Sequence, residues 1–516
     1  MIHLNKFNQK KSRKIKFMYN TSSSIILQFA NIICGFILPR AILNCFGSDT
    51  NGIVASITQY LTFINFMDMG VGAVTQSAYY KPLAQNDTSE VLAIYNESSI
   101  FFKKIGVVLI TYIAFLCVIL PRVLISPYST EYIIFLVIIL SINQFNQFFF
   151  AIPDQLLLSA SQSSYIINIT QTILITINTI VSILFIELEN SIHMVKFASA
   201  LVFFANPIIL HINTLRRFGI KKTKKDGTIH ISQKKNGFAQ HCATVIMNNT
   251  DIMVLSVLTP VSTVSIYTVY ALVTNGIKQF ISAISNGFFS LLGDLYAREE
   301  SEKLDDVFNL FQWGISTISV FLFSVTTLLI VPFVQLYTYD INDADYFQPV
   351  FAYVLVLSQF IFCLRIPCNT MICSAGHYKQ TQLSAIIEVV LNVMFSIMFV
   401  FKFGLIGVAI GTFIAITYRT ISFYKYLHDN ILYIKYRCIM KQMFINLVEF
   451  LLIIQIGTML MKGVILITSI ISFIKVGFLL VIIALGVIVI MNYFFYKKIF
   501  ERIKNELLKK GVCRRK

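Results

Sequence analysis

Lys278, Asp251, Asp68, Glu388, Arg365 and Arg419 are ionisable side chains set inside long apolar stretches of a 516-residue chain. Near the centre of a bilayer helix such a group costs roughly 2.5–3.5 kcal/mol on insertion scales, so it must find a partner or line a wet cavity. Lys278 supplies a compact point charge and the two arginines supply planar forks, tools suited to an anionic group such as a pyrophosphate. Asp251, Asp68 and Glu388 can titrate or hold a cation, and so could couple the protein's work to an ion gradient. A structural reading competes with this one: buried ion pairs, for example Lys278 with Asp251, would brace a bundle without touching a ligand. Arg419 lies in the inner half of its stretch and reads first as snorkelling toward the headgroups.

Neutral polar residues run beside these charges in stripes. Asn20, Ser24, Gln28, Asn31 and Gly35 recur every three or four positions, as do His241, Thr244, Asn248 and Asp251, and Tyr270, Thr274, Lys278 and Ser282. That spacing places each set on one helix face. Gln59, Asn65 and Asp68 give a further polar face. Two lobes meeting across a hydrophilic cleft would explain the pattern, and hydrogen bonding within dry bundles is the alternative. The candidate cavity residues are therefore Lys278, Arg365, Arg419, Asn31, Gln28, Asn248 and Thr274.

The elements that must carry these residues are membrane helices. The chain is 56% hydrophobic, 13% charged and has a mean hydropathy of +0.73, which excludes a soluble globular protein. A span needs about 20 apolar residues. Such stretches lie near 17–40, 52–77, 104–124, 131–158, 164–187, 193–214, 237–260, 264–292, 308–336, 347–374, 378–402, 404–427, 439–461 and 470–496. Connections on the side of the termini hold 33 lysines and arginines, and the opposite connections hold only 4. The positive-inside rule then places both termini in the cytoplasm. The net charge of +17 is mostly this topology signal. Lys221–Lys225 and Arg514–Lys516 read as partners of anionic lipid rather than of nucleic acid.

Ile152-Pro153 recurs as Ile366-Pro367, Ser159-Ala160 as Ser374-Ala375 and Asn178 as Asn392. Together these recurrences suggest a parallel repeat. The expected organisation is an N-lobe at 1–214, a basic cytoplasmic linker at 215–236, a C-lobe at 237–430, and an appended helix pair with a basic tail at 431–516. The appended pair reads either as accessory packing or as a groove for a lipid tail. The nine cysteines form no C-x-x-C pair and read as packing residues, without a metal or disulfide role. No P-loop, H-E-x-x-H or G-x-S-x-G motif occurs, and no cofactor is expected.

Several segments, in this order, carry a resemblance. They are Leu38-Pro39-Arg40 through Phe46-Gly47-Ser48-Asp49-Thr50-Asn51-Gly52; Asp68-Met69-Gly70-Val71-Gly72-Ala73; Asn249-Thr250-Asp251 with Val264-Ser265-Ile266-Tyr267; Ile366-Pro367 to Ser374-Ala375-Gly376; and Phe403-Gly404-Leu405-Ile406-Gly407 through Thr412. Together with the span count, they make the chain resemble the polysaccharide-transport branch of the multidrug/oligosaccharidyl-lipid/polysaccharide (MOP) exporter superfamily, the branch of O-antigen and capsule repeat-unit flippases. The resemblance implies an all-α fold of two pseudo-symmetric six-helix lobes plus a C-terminal helix pair, working by alternating access in a bacterial inner membrane. It implies undecaprenyl-pyrophosphate-linked oligosaccharide as the cargo, membrane lipids and polysaccharide polymerase machinery as partners, and no bond-breaking activity. In related lipid flippases, cavity cations in spans one, two and eight serve the pyrophosphate. Lys278 matches the cation of span eight. Span one has only Arg40, near its outer end, and span two has Asp68 in place of a cation.

Two alternatives remain. Drug/cation antiporters of the same superfamily often carry an acidic residue in span one, and none lies between Phe17 and Leu38. A membrane-embedded polysaccharide polymerase would need a large outer loop, and the longest outer connections expected here are Leu43–Asn51 and Thr338–Tyr346.

Overall fold

The computed structural model describes residues 2–68, 71–85, 87–219, 235–432, 436–464 and 469–496. Met69-Gly70, Lys221–Lys225, most of the basic linker, Arg514–Lys516 with the rest of the tail, and the side chain of His241 lie outside the described residues.

The helices are α1 (Ile2–Thr62), α2 (Val71–Ala78), α3 (Tyr80–Gln85), α4 (Thr88–Val123), α5 (Thr130–Asn146), α6 (Ile152–Ala160), α7 (Ser164–Glu187), α8 (Ile192–Phe218), α9 (Lys235–Leu258), α10 (Val261–Ala297), α11 (Ser301–Tyr337), α12 (Pro349–Ser374), α13 (Gln382–Phe403), α14 (Leu405–Asn430), α15 (Tyr436–Val464) and α16 (Ile470–Phe495). A 3-10 turn, Phe63–Asp68, follows α1, and a π turn, Gln147–Ala151, joins α5 to α6. Without water, backbone N–H and C=O groups must bond within the segment, which is why apolar sequence of this length becomes helix.

Among the described residues, eleven segments are long and apolar enough to cross a bilayer. The fourteen expected spans map onto the helices with specific departures. Spans one and two merge in the run Met18–Asp68, and the described apolar part of span seven is the shorter Cys242–Leu258. α10, which carries the Tyr270–Ser282 stripe, is not among the eleven. The expected connection Leu43–Asn51 contains the break between the two spans, a kink at the non-helical Gly47 (φ +78°), with helix reaching it from both sides in place of a longer loop. Span three is the upper part of α4, which already starts at Thr88. There Asp87 caps it by accepting from the N–H groups of Ser89 and Glu90 at 3.0 and 3.1 Å.

By packing, the chain divides into two compact units, Met1–Thr268 with Asp340–Ala344, and Val269–Tyr339 with Asp345–Lys516. In the first unit a core of Ile42, Ile53, Ile57, Leu116, Leu120, Ile133 and Leu136 joins the C-terminal half of α1 to α4 and α5. Gly52 allows the backbone of α1 to meet that of α10, since a Cβ there would overlap the Val261 carbonyl. Beside it, Asn51 donates to Ser265 Oγ at 2.8 Å. Gly47 makes room for Asp343, whose carboxylate accepts from the N–H and hydroxyl of Ser48, both at 2.6 Å.

In the second unit α13 and α14 pack closely because Gly407 and Gly411 sit against Phe399 and Ser396, the small-residue contact typical of membrane helices. Asn392 donates across that contact to Thr412 at 2.9 Å. The appended pair α15–α16 packs on α11 and α12 through Leu328, Val476 and Leu480 and a Phe360–Phe450 stack, and Trp313 Nε1 donates to Asn492 at 2.6 Å. Of its two expected readings, packing is the one these contacts support.

Candidate functional site

Three adjacent helices of the second unit bring together residues that lie far apart in sequence. α12 carries Arg365, α13 carries Glu388 and α14 carries Arg419. Arg365 Nη1 donates to Glu388 Oε1 at 2.6 Å, and Arg419 Nη1 donates to Oε2 of the same carboxylate. The side chains are 8%, 1% and 4% exposed, so this is a buried triad of two cations on one anion. The Arg419 Nε–H is buried with no acceptor among the described residues. Charge-assisted bonds of this kind are about twice as strong as neutral ones, and the triad retains one positive charge.

Aromatic rings frame the triad. The Arg365 guanidinium lies 4.7 Å from the Phe362 ring centroid, and Lys278 Nζ from α10 lies 4.1 Å from the same centroid. Phe423 is 4.8 Å from the Arg419 guanidinium and 5.8 Å from that of Arg365. Cations at these distances are attracted by the ring quadrupole. Lys278 is half-buried. The arrangement presents ammonium and guanidinium donors around one ring, a geometry able to receive phosphate oxygens.

Burial corrects the snorkelling reading of Arg419, because its head is turned to Glu388 rather than to a headgroup layer. Glu388, expected as an ion-coupling group, is the shared counter-ion of the triad. Phe362 and Phe423 escaped the sequence reading, although they lie three and four positions from Arg365 and Arg419, the spacing of neighbours on a helix face.

The remaining candidates are distributed elsewhere. Thr274 is buried on α10 in the second unit. Gln28 and Asn31 are half-buried on α1, and Asn248 is exposed on α9. The Asn248 carbonyl accepts from Gln59 at 3.0 Å, and Asn249 Oδ1 accepts from Gln59 and Thr62 at 2.6 and 3.0 Å. Asp251 is buried and accepts from the Tyr267 hydroxyl at 2.9 Å. Asp68 accepts from the Gly72 N–H at 3.1 Å at the start of α2. Asn20, at the N-terminal end of the span-one stripe, accepts from the Tyr165 N–H at 2.8 Å and donates to the Gln162 carbonyl at 3.2 Å. Part of the polar striping is thus interhelical hydrogen bonding.

The family model described as MatE matches residues 238–398, a stretch that includes Lys278, Arg365 and Glu388. The lipid II flippase MurJ in an inward closed conformation superposes with a TM-score of 0.66 at 14% identity, over 93% of this chain and 99% of that one. The chain thus shares its fold with these transporters, and a MatE-like stretch occupies residues 238–398. Its long apolar helices make it a multi-pass membrane protein. An inward-facing multidrug resistance MATE family transporter of the MOP superfamily matches with a TM-score of 0.57 at 16% identity, over 80% of this chain and 97% of that one. A MATE in complex with MaL6 gives 0.57 at 14% identity, over 78% and 94%. A comparison with curated proteins finds no match.

Proposed function

We propose that this membrane protein is a flippase for undecaprenyl-pyrophosphate-linked oligosaccharide repeat units, carrying them across the bacterial inner membrane by alternating access for O-antigen, capsule or exopolysaccharide synthesis. The observation that carries the reading is the cation cluster of the second unit: Lys278 and Arg365 on one ring, and Arg365 and Arg419 on one carboxylate. A pyrophosphate supplies the acceptors that such donors favour, while a polyprenyl tail needs only lipid. The likeness to a lipid II flippase over 93% of the chain, against 80% and 78% for the multidrug transporters, supports the same reading. Gln28, Asn31, Asn248 and Thr274 are proposed as lining for the sugar, and Asp251 and Asp68 as coupling groups.

Lys278→Ala is expected to lower surface polysaccharide by at least about tenfold, from the roughly 1.5–3 kcal/mol of a hydrogen bond to a charged group. Immunoblots of membranes should show the protein inserted at its normal level. Unchanged polymer would overturn the cationic site. The second reading, a cation-coupled multidrug antiporter, is favoured by the MatE match and by the likeness to MATE transporters. It predicts ethidium efflux from cells that express the protein, and the flippase reading predicts none.

Cytoplasmic termini are part of the proposal. A cysteine placed at Thr228 should react with an impermeant thiol reagent only after the inner membrane is lysed, and labelling in intact spheroplasts would reverse the orientation.

A further inference from the structure

The first unit holds an ionisable cluster outside the proposed substrate site. Asp154 on α6 is fully buried, and its Oδ1 accepts from the Tyr95 hydroxyl of α4 at 3.0 Å. Its Oδ2 lies 3.1 Å from His211 Nδ1 of α8, and the Tyr95 hydroxyl is 3.5 Å from that same nitrogen. The His211 side chain is 48% exposed while that of Asp154 is 0% exposed, so one end of the pair reaches the surface and the other does not. Arg217, further along α8, is committed to Ser163 and Tyr165 at 2.9 and 2.7 Å.

Both strands of this contact follow a break in the α-helical ladder. The π turn Gln147–Ala151 precedes Asp154, and Pro207, inside α8, precedes His211. Such breaks remove or redirect i→i−4 bonds of the ladder. Where Ile-Pro recurs at Ile366-Pro367, the residue that follows is Cys368 rather than an acid. A neutral side chain therefore suffices after that dipeptide, and a buried carboxylate there calls for a chemical reason.

We propose that Asp154 and His211 form a proton-binding site that fastens the inner end of α8 to α6 when the proton is bound. Nδ1–H of the neutral imidazole donates to Asp154, which leaves Nε2 as the basic nitrogen. A proton taken up there creates an imidazolium–carboxylate pair with no other bond made or broken. Imidazole is the side chain suited to gaining and losing a proton in such a place, and the full burial of the Asp154 carboxylate strengthens the resulting attraction.

The test uses the full chain in nanodiscs, with no transport substrate, so its outcome is separate from the flippase reading. Hydrogen exchange at the imidazole C2 position, followed by mass spectrometry across pH, traces the titration of His211 itself. Asp154→Asn is expected to displace that curve at least threefold in proton concentration. Backbone exchange of residues 208–218 is expected to slow on acidification in the natural protein and to lose that pH response in His211→Gln. Tyr95→Phe, which keeps the pair, should retain the response and serves if Asp154→Asn fails to fold. A His211 curve indifferent to Asp154, or a pH response that persists in His211→Gln, overturns the proposal.

Discussion

Glu388→Ala is expected to abolish stable folded protein, a larger effect than any substitution of the cations it holds. Arg365 and Arg419 bond to its two oxygens in surroundings where all three side chains are at most 8% exposed. Without the carboxylate, two guanidinium groups face each other in a medium that solvates neither. Removing one member of a buried ion pair costs about 3–5 kcal/mol, comparable to the whole stability margin of many domains. Size-exclusion profiles of the detergent-solubilised variant and its thermal midpoint report the loss. Arg419→Gln in the Glu388→Gln background should restore part of it, with a coupling of about 0.5–3 kcal/mol. Additive losses would show that the triad is no energetic unit. Lys278→Ala, by contrast, should leave the midpoint near that of the natural protein, which separates a ligand group from a bracing group.

Gly52→Leu is the second large effect. The Cβ that any other residue brings would overlap the Val261 carbonyl and press on the Ser265 N–H, both main-chain atoms with no rotamer to give way. α1 and the start of α10 would have to separate, which also breaks the bond from Asn51 to Ser265. Overpacking commonly costs 1–3 kcal/mol, and about 3 kcal/mol or more is expected where backbone is the obstacle. Gly35→Ala and Gly276→Ala are the controls: a Cβ at either position meets nothing within 4 Å. Helix propensity alone should leave these neutral or up to about 1 kcal/mol more stable. A Gly52→Leu protein with the melting midpoint of the controls would mean that the close approach is unimportant.

Particular residues show how far the primary structure reaches. Phe17–Arg40 and Ile470–Tyr496 announce helices because only a helix satisfies the backbone over such apolar runs. Leu43–Asn51 reads as the connection between spans one and two, and the helical path does break there, at the non-helical Gly47, although helix runs up to it on both sides. The ionisable residues of the second unit were legible as anomalies in lipid, but their roles were not. Arg419 looked like a headgroup contact until α13 placed Glu388 beside it. Asp154 went unremarked because it sits at the end of an apolar span, and nothing local ties it to His211.

By itself the sequence determined the solvent, the helical character of the long apolar segments, the side favoured by the basic residues, and the short list of charges that lipid does not tolerate alone. These follow from composition and length, which act locally. The tertiary structure decided which of those charges meet. Arg365 and Arg419 reach Glu388 across separations of 23 and 31 residues, from different helices. Helices that are apolar all round carry little record of which face turns inward, so their rotation, and with it the triad, exists only once the bundle has packed.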